Sequence, residues 1–140
     1  MMMSETEKTN RKAPRLYSPY DAPMWESIEA GEMKLQRCPE SGEFRYPPGP
    51  ICPVSMSMEY EWVPISGKAS IVSWTVFHRQ YLPAYPAPHL VVAVRLEEGP
   101  IMVSYMDHAE LGRIRLDAPV RLVYANHPDG YKVPKFTLDS

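Results

Sequence analysis

A mainly β fold, led by one short helix and a proline-rich irregular module, is the class that this 140-residue chain predicts. Three features predict it. Period-two alternation of apolar and polar residues begins near residue 59 and returns in five separate segments. Tight-turn sequences at 97–100 and 128–130 separate neighbouring segments as hairpin connections do. Prolines at 39, 47, 48, 50 and 53 block regular ladder bonding upstream of that point. Five strands, no second long helix and about eighty residues suit a small closed barrel, with a five-stranded OB-fold barrel as the expectation and an SH3-like barrel as the alternative.

The opening MMMSETEKTNRKAPR is polar and lacks a hydrophobic period, so residues 1–17 are expected to be a disordered leader. Lys8, Arg11, Lys12 and Arg15 make it basic, while residues 16–140 carry eleven basic and fifteen acidic groups. That negative balance argues against a surface built to neutralise phosphates. With 44% hydrophobic residues the chain can bury an ordinary single-domain core. Two cysteines, no signal-peptide pattern and no apolar run near spanning length lead to the expectation of a cytoplasmic protein with no membrane contact.

Residues 18–32, SPYDAPMWESIEAGE, predict a helix in which Asp21 caps the start, Pro23 sits in the first turn and Gly31 supplies the stop. Trp25 and Ile28 fall on one face, which either covers a core edge or meets a partner. Residues 33–58 predict a short strand over 33–38 and then a rigid module without regular structure.

Within that module, RCPESGEFRYPPGPICPVS places Cys38 and Cys52 where two metal-binding knuckles would begin. The second position of each knuckle holds Ser41 and Ser55 instead of cysteine. Structural zinc takes four thiolate or imidazole ligands, and a serine hydroxyl is a poor donor. Zinc is therefore not expected at Cys38, Ser41, Cys52 and Ser55. His78, His89, His108 and His127 all lie far from both knuckles in sequence.

Residues 59–140 supply the barrel strands in GKASIVSWTVFHR, LVVAVRLEE, PIMVSYMD, PVRLVYANH and YKVPKFTLD. Trp74 lies between the apolar Val72 and Val76, so it is expected in the core. The loops that flank an OB-fold's binding face correspond to residues 80–89 and 126–130. The first, QYLPAYPAPH, reads either as a functional loop or as a stiff connector.

No phosphate-binding glycine loop, nucleophile elbow or HExxH pair is present. Asp107 and His108 are neighbours on an extended chain and point to opposite faces. No catalytic residue is assigned.

The order of these parts, especially the aromatic–proline run at 44–48 and SWTVFHR at 73–79, resembles the family called domain of unknown function 35. The similarity spans roughly residues 20–138. It implies a rubredoxin-like zinc ribbon, here degenerate, followed by an OB-fold. It also implies a non-catalytic accessory subunit of a thiolase or lipid-transfer-type aldolase, without activity alone, which adds docking surface and part of a CoA channel. On that reading no cofactor is resident, and a CoA thioester is bound together with the partner. A homodimer inside a hetero-oligomer is compatible with it.

Cations for CoA phosphates and rings for its pantetheine arm are sought at Arg45, Lys68, His78, Arg79, Tyr81 and Tyr85. Partner docking is expected at Trp25, Phe44, Tyr46, Pro47 and Pro48. The alternative function is a single-stranded nucleic-acid binder that stacks bases on exposed rings of the OB face.

Overall fold

In the computed structural model, residues 13, 14 and 18–139 are described; the leader expected over residues 1–17 falls almost entirely outside them. One helix, α1 (Asp21–Glu29), precedes β1 (Lys34–Arg37), β2 (Phe44–Arg45) and β3 (Glu61–Pro64). Then follow β4 (Lys68–Phe77), β5 (His89–Leu96), β6 (Ile101–Met106), a short 3₁₀ helix (His108–Arg113), β7 (Pro119–Asn126) and β8 (Lys132–Leu138). The chain divides into two units: residues up to Ile65 with Tyr124–Val133, and Ser66–Val123 with the segment from Pro134.

The first unit holds a three-stranded antiparallel sheet in the order β2–β1–β3. Alternation fails in β1, where Leu35 and Gln36 are both buried. The Gln36 amide oxygen accepts the Gly49 N–H at 2.7 Å, which satisfies the acceptor half of this buried amide. Helix α1 buries Met24, Ser27 and Ile28, while Trp25 is half-buried and meets Tyr131 edge to face.

Asp21 is not the cap; Tyr20 holds that position, and the Asp21 carboxylate instead accepts the N–H of Ser18. Gly31 ends the helix as expected. Its φ of +78° lets the chain turn so that the Gly31 and Glu32 amides reach the carbonyls of Ile28 and Ser27. The 126–130 turn is closed by the His127 amide on the Tyr131 carbonyl.

The second unit is built on a five-stranded sheet in the order β6–β5–β4–β7–β8. Its core face carries Ile71, Leu90, Val92, Val94, Leu96, Met102, Met106, Val120 and Phe136. Ser104 on β6 donates to the Pro134 carbonyl on β8, and Lys135 pairs with Asp107, so side chains join the two ends of the strand order. Glu110 of the 3₁₀ helix accepts the Thr137 hydroxyl and the Leu138 amide, both at 2.9 Å. The turn at 97–100 is closed between the Leu96 amide and the Pro100 carbonyl.

Trp74 is not core. Ile71 pairs with Val94 but Ser73 pairs with Ala93, so Val72 is an extra residue in a bulge. The core-facing set therefore passes from Ile71 to Trp74 and Val76. Pairing with β7 covers only the first residues of β4, Lys68 to Ser70, and Trp74 lies past that point with 37% of its surface exposed.

Candidate functional site

In the first unit the two knuckles turn alike. The Gly42 amide reaches the Cys38 carbonyl at 2.8 Å, and the Met56 amide reaches the Cys52 carbonyl at 3.0 Å. The side chains then cross over: Cys38 Sγ lies 3.4 Å from Ser55 Oγ, and Cys52 Sγ lies 3.3 Å from Ser41 Oγ. Both thiols are buried and free of disulfide.

Hydrogen bonds from Ser41 and then Ser55 hold the Cys52 thiol down to about 6, with the Ser55 and Val54 amides adding to them against burial. Cys38 is lowered by the same two hydroxyls and by the Ser41 and Glu40 amides. Two thiols and two neutral hydroxyls are half of the thiolate set that structural zinc takes, so these residues do not fit a tetrahedral zinc ion. Among the described residues no group of three or more His, Cys, Asp and Glu side chains is placed to hold a metal ion.

Arg45 belongs to this scaffold and not to a ligand loop. It is buried, and its guanidinium donates to the carbonyls of Gly49, Ser57 and Glu59 at 3.1, 3.4 and 2.7 Å. Of the residues expected to dock a partner, Trp25, Phe44, Tyr46 and Pro48 are half-buried and only Pro47 is exposed. Burial raises the Tyr46 hydroxyl pKa, and Arg37 lies over the Phe44 ring. The large apolar side chains that this unit exposes most are Ile51, Val54, Met56 and Met58, on and beside the second knuckle.

In the second unit a cavity of about 190 Å³ opens among Phe77, Arg79, Tyr81, Leu82, Tyr85 and His89. It gathers Arg79, Tyr81 and Tyr85 from the sequence expectation. Lys68, exposed at the far end of β4, and His78 do not line it; nor does Arg45.

Phe77, Leu82 and His89 were not anticipated, although the register explains two of them: Phe77 and His89 are directly paired across β4 and β5. The rings continue from Tyr85 to His89 at 5.0 Å and from both to Tyr105 of β6 at 5.3 and 5.4 Å. Burial lowers the pKa of His89 and raises that of Tyr85, and burial, with the charges of Tyr85 and Asp107, pushes Tyr105 up to about 12. The cluster therefore holds His89, Tyr85 and Tyr105 uncharged at neutral pH beside the Arg79 guanidinium. It offers rings and one cation, but no nucleophile beside a base.

These features define a class: an OB-fold whose outer loop end carries a ring-lined pocket, in a chain whose upstream knuckles lack half of a zinc ligand set. Residues 62–125 match the family model described as the C-terminal OB-fold domain of ChsH2. A homologue and a structural neighbour of the chain carry the name of the domain of unknown function 35 family. A DUF35 domain-containing scaffold protein of Pyrococcus furiosus is 30% identical over 60% of this chain and 62% of its own length.

The 3-oxo-4,17-pregnadiene-20-carboxyl-CoA hydratase alpha subunit of Mycobacterium tuberculosis is 31% identical over 75% of this chain. This chain spans only 33% of that relative's length. Among solved structures, a chain of the Ltp2-ChsH2(DUF35) aldolase superposes with a TM-score of 0.80 at 26% identity, over 89% of this chain and 98% of the other.

Proposed function

We propose that this protein is a non-catalytic accessory subunit of a thiolase or lipid-transfer-type aldolase acting on acyl-CoA. The observation that carries the reading is the likeness to the Ltp2-ChsH2(DUF35) aldolase chain over nearly its whole length. The arrangement of side chains agrees with it, because the ring-lined cavity described above sets no nucleophile beside its one imidazole, His89, and no metal-holding group is found among the described residues.

The partner supplies the chemistry, and the acyl-CoA is bound with the partner and not by this chain alone. Any contact from this chain to the coenzyme falls to the Arg79 end of the OB unit, since Arg45 is committed to backbone carbonyls. The knuckle module keeps its shape without zinc, through the crossed thiol–hydroxyl contacts. No helix is long and apolar enough to cross a membrane among the described residues, and the complex is assigned to the cytoplasm.

Purified lipid-transfer-type aldolase subunit from the same source, mixed with this chain, tests the reading. Co-elution in fixed stoichiometry and a retro-aldol activity that needs both chains are expected. An aldolase that is fully active alone and elutes separately would overturn it. Salt-sensitive binding of single-stranded oligonucleotides, which the ring cluster makes worth measuring, would favour the alternative.

A further inference from the structure

Strand β5 reads HLVVAVRL, apolar at nearly every position, where a strand with one solvated face alternates. Leu90, Val92, Val94 and Leu96 fill the core, so the other set, His89, Val91 and Ala93, faces outward. The register continues that outer face across the sheet: Val91 stands between Thr75 and Tyr105, and Ala93 between Ser73 and Val103. Val103 is 63% exposed, and the loop end of the face adds Tyr81 and Leu82 at 71% and 58%. An apolar outer face that ends in a cavity is what a covered surface looks like without its cover.

We infer that the outer face of β4, β5 and β6 is the surface on which the partner protein docks. One apolar side chain of the partner is seated in the cavity between Phe77 and His89, with a carboxylate beside it on Arg79. This deepens the accessory-subunit reading and rests on it.

Three observations choose this occupant. The cavity, about 190 Å³, falls short of the roughly 300–1,000 Å³ of small-molecule sites and matches a single large side chain. Exposed apolar residues surround it, as neighbouring contacts surround an anchor residue in an interface. Arg79 is the only cation among the cavity's lining residues. Nearby, Arg95 donates to the Gly99 carbonyl and Lys135 is paired with Asp107, which is too little charge for a phosphate backbone but enough for one carboxylate.

The test measures binding of the purified aldolase subunit to the full-length chain and to Val103→Glu, Tyr81→Ala and Arg79→Glu, with Leu116→Glu as a control at an exposed apolar residue away from this face. Each variant's fold is checked by circular dichroism. The inference expects each of the three face variants to weaken binding at least tenfold, and Leu116→Glu to leave it within twofold.

Wild-type binding with all three face variants within twofold would overturn the docking face and leave the subunit reading standing. Absence of wild-type binding would overturn both. A homodimer of the chain alone that Val103→Glu dissociates, or oligonucleotide binding lost in Tyr81→Ala, would assign the face to another occupant and overturn the inference.

Discussion

Cys52 Sγ lies 3.3 Å from Ser41 Oγ, a residue of the opposite knuckle, and the Cys38 thiol makes the matching contact to Ser55 at 3.4 Å. Each cysteine is thus tied to the serine at the second position of the other knuckle. The contacts run between the knuckles, as bonds to a shared metal would.

The depressed thiol pKa makes this module's stability depend on pH. Cys52 titrates at 9.0 unperturbed and near 6 in the folded chain, so folding favours its thiolate. That contribution is fully present above about pH 9 and is lost as pH falls through about 6. Urea midpoints of the wild type should rise from pH 6 to 9 more steeply than those of Cys52→Ser. Parallel curves would show that the hydroxyls do not stabilise the thiolate.

Supplying two further thiolates should create a zinc site. The double variant Ser41→Cys, Ser55→Cys is expected to purify with about one zinc per chain and to lose thermal stability on chelation. Wild-type protein prepared alongside should carry no comparable equivalent and ignore the chelator. Metal analysis by mass spectrometry decides between them.

Arg45 should matter for stability and not for ligand affinity. Arg45→Met keeps the stem but leaves the carbonyls of Gly49, Ser57 and Glu59 without their charged donor. A loss of about 1.5–3 kcal/mol in chemical denaturation is expected. An unchanged midpoint would show that water replaces the guanidinium freely.

The bulge at Val72 makes an ordered pair of predictions. Ile71→Ala should cost about 2–5 kcal/mol, because Ile71 is fully buried. Trp74→Ala should cost less despite the larger side chain removed, since its ring is partly in water. Denaturant midpoints of the two variants test the order, and the reverse order would place Trp74 in the core.

Strands and turns were legible because they depend on local pattern: alternation or, in β5, a bounded apolar run marked the strands, and Gly31 marked the end of the helix. Trp74 was misplaced because alternation shows which face a residue takes and not how far that face is covered: it lies on the side of Ile71 but past the end of the pairing with β7. The bulge at Val72, one extra residue, is what puts Ile71 and Trp74 on the same face. Arg79, Tyr81 and Tyr85 could be grouped from sequence because they share one loop. His89 and Tyr105 join them only through cross-strand register.

Arg45 looked like a free cation because nothing in its local sequence reveals the carbonyls that surround it. The unbroken apolar run of β5 was the available signal for a second covered face. Its meaning depended on knowing which strands flank it.

The make-up of the first unit bears on how the protein is made. Met33 is held through its amide by the Tyr124 hydroxyl, 91 residues later, and the Glu29 carboxylate accepts the Lys132 amide, 103 residues later. A ribosome that has released the chain only as far as Ile65 has delivered the helix and both knuckles but not the residues that complete them. Residues 18–65 therefore wait for a segment made after the intervening strands, and closure of this unit is paced by their translation.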